Sequence, residues 1–259
     1  MKNSKQNECS IKRAALLYWI GTIGQISIVC SCLVVLNLTN ITYPQIVDMI
    51  FLVVGGTSSA LWGFIVSLKY GYRRSSNEII RDFFDFRQVI WKYLMVICFI
   101  IIIFGVQIFR GKVNSDTYWY TYIVLFLQAI IFGGIEEIGW RYTWQPIIEK
   151  KYSFVVACLS TFISWSLWHY MYFYITDSIT KINHTSFLIG MLGNCFILGA
   201  IYKITDSLWL CVLYHCLLNV FSQTLQPEGV IILGACNTLA IIISIVLVKR
   251  QKRDVEYSV

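Results

Sequence analysis

A chain of 259 residues would ordinarily read as one or two domains, but 57% of this one is hydrophobic and only 14% is charged, against roughly 25% charged in a soluble domain. Its mean hydropathy is +0.65 and its net charge is +7. A water-soluble core cannot hide that much apolar surface, so a soluble globular protein, a disordered chain and a secreted disulfide scaffold are excluded.

The apolar residues fall in long unbroken runs, not in the alternating segments of about ten residues that build a barrel. They therefore predict an all-α membrane protein. Eight runs are near the ~20 residues that a ~30 Å hydrocarbon layer needs. In chain order they lie at about 14–36, 46–68, 89–109, 118–145, 154–175, 186–203, 207–223 and 229–248. The first is too long for a signal-peptide core and reads as a span. The fourth has an open end: its clearly apolar part stops near Ile135, but Trp140, Tyr142, Trp144, Ile147 and Ile148 can carry the helix deeper. The longest polar stretch, 69–88, reads either as a short surface helix bearing Phe83, Phe84 and Phe86 or as a solvated loop. No repeat or low-complexity tract breaks the chain, so 1–259 is expected to be one multi-pass domain with its motif-bearing core at about 118–223.

Lys and Arg set the orientation. With the spans placed as above, eighteen of the twenty-one basic residues fall on the side of the termini, and only Arg110, Lys112 and Lys181 fall on the other. This predicts a cell-membrane protein with both termini cytoplasmic. The positive charge is then a topology signal and an attraction to anionic lipid, not a sign of nucleic acid. The partners implied are the lipid bilayer and a membrane-associated peptide or protein, with no nucleic acid.

Titratable groups inside apolar spans are costly and persist mainly where they have a partner or a task. Five stand out, in Gly-Gly-Ile-Glu136-Glu137-Ile-Gly-Trp-Arg141 of the fourth run, His169 of the fifth and His215 of the seventh. On a regular helix Glu136 and Glu137 point about 100° apart and cannot share one role. Glu137 and Arg141 lie four apart on one face and can pair, which leaves Glu136 to face a cavity. All three would also serve as glue between helices. His169 closes Trp165-Ser-Leu-Trp-His169, so the indole four residues earlier can orient its ring; such a lone histidine can equally hydrogen-bond a neighbouring helix. His215 and Asn219 share a face, offering an imidazole and an amide that together can grip a developing oxyanion. At 1.5 Å per residue, Glu136, His215 and Asn219 lie roughly 12–18 Å from the cytoplasmic ends of their spans, and His169 joins them only if its span starts near Ala157. A site within the membrane, toward its cytoplasmic side, follows.

These motifs, Glu136-Glu137-x-x-x-Arg141, Trp165-x-x-x-His169 and His215-x-x-x-Asn219, on successive hydrophobic segments, resemble the CPBP family, which includes type II CAAX prenyl proteases and the bacterial Abi proteins of bacteriocin processing or self-immunity. The family usually has Phe where this chain has Trp165, a change that keeps the aromatic character. The resemblance implies an intramembrane endopeptidase. Glu136 and His169 would activate a water, His215 and Asn219 would stabilise the oxyanion, and Glu137 and Arg141 would hold the site together. No cofactor is expected; the alternative is zinc held by Glu136, His169 and His215, a set that resembles the His₂Glu sites of metalloproteases. The rival function is a binding or self-immunity protein on the same fold, without cleavage.

Overall fold

A computed structural model describes the backbone of residues 2–257 and the side chains of 8–251. The side chains of Lys2, Lys5, Lys252 and Arg253, which enter the Lys/Arg asymmetry, lie outside the described residues. Among the described residues there are ten helices: α1 (Lys2–Leu38), α2 (Gln45–Gly56), α3 (Ser58–Lys69), α4 (Ser76–Phe83), α5 (Ile90–Phe109), α6 (Trp119–Glu149), α7 (Phe154–Ile175), α8 (His184–Thr205), α9 (Leu208–Thr224) and α10 (Val230–Tyr257). Among the described residues the one β feature is an isolated antiparallel bridge between Val113 and Leu225.

The chain is thus an all-α multi-pass membrane protein, but the expected eight spans are not eight equal helices. Among the described residues six helices are long and apolar enough to cross a bilayer, or seven spans if the bent pair α2 and α3 counts as one, so the count of eight is not reached. The run at 46–68 is broken into α2 and α3, bent by 41°. The break falls at Gly55-Gly56-Thr57, where the Thr57 hydroxyl donates to the Val53 carbonyl at 2.7 Å. Glycines weaken a helix locally, and hydroxyl back-bonding of this kind bends it. The run at 207–223 is α9, an apolar helix of 17 residues, shorter than each of those six. The fourth run takes the longer of its two readings and continues to Glu149. The polar stretch after α3 contains a helix, α4, of eight residues.

The helices assemble as two compact units, each drawn from two stretches of chain. One comprises residues up to Ile79 with Ile138–Asn183; the other comprises Ile80–Glu137 with the chain from His184 onward. The boundary falls inside α6, between Glu137 and Ile138.

In the first unit, small residues let helices touch backbone to backbone, as membrane helices commonly do. A Cβ on Gly63 of α3 would lie 2.6 Å from the Gly139 Cα and 2.7 Å from the Ile138 carbonyl oxygen. Polar atoms in this seam pair with each other: Thr143 Oγ1 lies 2.8 Å from Ser67 Oγ, and Trp168 Nε1 donates to Ser58 Oγ at 2.8 Å. Tyr18 stacks on Trp144 and meets the Trp140 edge. Beyond α6, Lys150 sits over the Tyr72 ring at 4.1 Å, and burial holds its ammonium below the ordinary lysine range.

In the second unit α8 and α9 are joined by a two-residue turn. Asp206 takes the left-handed conformation (φ 50°), and Ser207 caps α9 by accepting from the Leu210 amide at 3.3 Å. The turn is tied to α5, because Lys92 Nζ donates to the Thr205 carbonyl at 2.8 Å and Trp209 Nε1 to the Tyr93 hydroxyl at 3.2 Å. At the other end of α9, Glu228 bridges Arg110 and Lys112, each at 3.2 Å. Within the bundle the Tyr214 hydroxyl donates to Asn194 Oδ1 at 2.8 Å. Both ends of α9 are therefore pinned, which fixes the height of the residues along it.

Candidate active site

The acidic motif sits on a distorted stretch of α6. Ile130–Gly134 and Trp140–Trp144 are π-helical, with a single α-helical turn, Glu136–Gly139, between them. A π turn widens the helix and rotates all that follows, and such turns concentrate at functional sites. Arg141 lies on the second π segment. Glu136, Glu137 and Arg141 are all buried, at 3%, 0% and 0% exposure.

In the second unit Glu137 meets α9. Its Oε1 lies 2.7 Å from Nδ1 of the buried His215. A carboxylate oxygen accepts, so Nδ1 carries the proton. The ring's other nitrogen faces Gly133: a Cβ there would lie 3.1 Å from His215 Nε2 and would overlap Asn219 Nδ2. The imidazole and the amide, four residues apart on α9, thus converge on bare glycine backbone. Gly134 plays the companion part, since a Cβ on it would come within 2.8 Å of Val212 Cγ1. The two glycines allow α9 to seat against α6. Their only sequence signal is their place together in an apolar span just before the acids; nothing in the sequence links Glu137 to a histidine 78 residues away.

Gly133→Ala is therefore expected to fold, because the overlapped atom is the free end of the Asn219 side chain, which can swing aside. Turnover should nonetheless fall by roughly 10²–10³, the loss typical of one oxyanion donor. A peptide-cleavage rate beside a detergent melting curve checks this; unchanged turnover would remove the amide from the site.

The first unit holds the other three residues. Trp165 is 1% exposed. The Arg141 guanidinium lies over its indole at 4.4 Å, a cation–π contact that is strongest where water is excluded. His169 Nδ1 lies 3.0 Å from the Trp165 carbonyl oxygen. A carbonyl only accepts, so this contact places the proton on Nδ1 and leaves Nε2 with its lone pair as an acceptor. The Trp165 and Trp168 rings meet the imidazole edge-on, at 5.3 and 4.9 Å, and Phe173 lies at 5.7 Å. The aromatic residue four before the histidine thus orients it twice, by ring and by carbonyl.

Within either unit, among the described residues, no three His, Cys, Asp or Glu side chains are grouped to hold a metal. The alternative zinc set draws on both units, with Glu136 and His215 in one and His169 in the other.

Apolar helices that carry the buried Glu136, Glu137 and His215 and the half-buried His169 and Asn219 define a multi-pass membrane protein with the groups of a hydrolase. Comparison with known proteins makes the class narrower. Residues 117–221 match the family model of the type II CAAX prenyl endopeptidase Rce1-like proteins. That range contains Glu136, Glu137, Arg141, Trp165, His169, His215 and Asn219. The chain is also similar to CAAX prenyl protease 2 of Methanococcus maripaludis, 26% identical over 191 residues, which covers 62% of this chain and 69% of the relative. Both findings make the chain similar to endopeptidases of the CAAX type, the family model over a stretch of less than half of its length.

Proposed function

We propose that the protein hydrolyses a peptide bond of a membrane-associated protein or peptide precursor with water activated by Glu136 and His169. The observation that most supports this reading is the Glu137–His215 contact, with Nε2 of the same ring beside the Asn219 amide at Gly133. A buried carboxylate that orients an imidazole and balances its charge is a recurrent device in hydrolases. Glu136 takes the proton of the water, and His169 Nε2 accepts its second hydrogen bond. The hydroxide attacks the scissile carbonyl carbon. The carbonyl oxygen becomes an oxyanion, held by Asn219 Nδ2 and by His215 Nε2–H when the ring is protonated at both nitrogens. The proton then passes from Glu136 to the leaving amine as the C–N bond breaks, giving a carboxylic acid and an amine. No Ser or Cys nucleophile is required. The archaeal relative's name ties that protein to CAAX substrates; for this chain the class proposed is any peptide segment delivered from the membrane.

The mechanism uses no metal. Cleavage by the purified protein is expected to survive a strong chelator unchanged. Loss of cleavage, restored by zinc with stoichiometric metal in elemental analysis, would replace it with a zinc site on Glu136, His169 and His215.

The Lys/Arg asymmetry supports a cell-membrane placement with both termini cytoplasmic. Reporters fused after Val259 and within 176–185 should give cytoplasmic and external signals respectively, and the reverse pattern would invert the site's depth.

A further inference from the structure

We propose that a groove between α5 and α10, within the second unit, holds one anionic phospholipid. The groove has a volume of about 520 Å³. Its walls are apolar: Leu94, Cys98 and Ile102 from α5 face Ile243 and Leu247 from α10. The three α5 residues recur every four positions, so they form one stripe about 12 Å long. That is most of the ~15 Å of hydrocarbon in a single leaflet. One acyl chain fits this stripe, in a region where lipid is the solvent.

The polar end of the groove selects the headgroup. Trp91, Arg250 and Gln251 line it. The Gln251 amide donates to the Ile204 carbonyl at 3.4 Å, which anchors this turn of α10. Arg250 is exposed, and among the described residues no carboxylate is in salt-bridge contact with it. Lys92, next to Trp91, spends its ammonium on two neutral oxygens, Thr205 O at 2.8 Å and Gln88 Oε1 at 3.0 Å, so its charge is not cancelled there. Arg250, in salt-bridge contact with no acid among the described residues, stands at the mouth of an apolar slot flanked by an interfacial indole, with the charge of Lys92 one residue along α5 from that indole; this complements a phosphodiester that carries one negative charge. A zwitterionic headgroup would bring its own cation to a place already positive.

The inference does not depend on the peptidase reading. The test is native mass spectrometry of the full-length protein in detergent, titrated with dioleoyl-phosphatidylglycerol or dioleoyl-phosphatidylcholine. Wild-type protein is expected to retain the glycerol lipid in preference. Arg250→Gln should weaken that retention by about fivefold, the worth of one basic side chain near an anionic headgroup, and leave the choline lipid unaffected. Cys98→Trp, which fills the slot, should lower retention of both. Melting temperatures near wild type confirm that the variants fold. Equal retention of the two lipids by wild type would overturn the proposal, as would glycerol-lipid retention unchanged in both variants. If Cys98→Trp lost peptide cleavage while keeping the lipid, the slot would belong to the substrate instead.

Discussion

Glu136→Gln should reduce peptide cleavage to background while the protein still accumulates and melts near wild type. The amide matches the acid in size and shape, but it cannot take a proton from water. A positioned base contributes roughly 10²–10⁴ to rate, and here the same group also returns the proton to the amine, so the loss should fall at or beyond the upper end. His169→Ala should behave alike, because the water loses its second anchor. His215→Ala and Asn219→Ala should keep residual turnover, since oxyanion contacts share their load. Rates on a fluorogenic peptide, normalised to folded protein, separate these classes. Near wild-type cleavage by Glu136→Gln would refute the mechanism. Variants that are dead in cleavage yet fully protective in an immunity assay would establish the binding-protein alternative.

The second large effect concerns Glu137, which touches no reacting atom in this scheme and acts through His215. Glu137→Ala removes the carboxylate that His215 Nδ1 faces at 2.7 Å. Breaking a fully buried pair typically costs about 3–5 kcal/mol, so the variant should accumulate poorly and melt well below wild type. Glu137→Gln is the sharper probe. It keeps an acceptor for Nδ1–H and the packing, but it withdraws the negative charge beside the ring. Its fold should survive, with turnover down by roughly 10²–10⁴, the range set by losing an oxyanion donor and by misorienting a catalytic imidazole. The double variant Glu137→Gln/His215→Ala should then be no slower than His215→Ala alone, because the two residues act as one unit. Additive losses in that cycle would mean that Glu137 serves the site by a route other than the histidine.

The sequence by itself determined the solvent and the elements. Hydropathy and Lys/Arg content are local properties of each segment, so the membrane class, the helical spans and the seven motif residues could be read before any packing was known. Helix geometry along one segment also gave the pairing of Trp165 with His169, because both lie on the same regular helix. What required the tertiary structure is whatever depends on two segments meeting or on a helix departing from 3.6 residues per turn. The pairing of Glu137 with Arg141 is an expectation from spacing along one helix; the contact of Glu137 with His215 on α9 depends on how closely two helices approach, and Gly133 and Gly134 set that approach. The π turns around Glu136–Gly139 leave no mark in hydropathy, yet they decide where the acids point. The break at Thr57 is a matter of where backbone hydrogen bonds go once glycines loosen the helix, so one apolar run became two helices. Composition fixes which residues must leave water, whereas only packing fixes which buried polar group each of them finds.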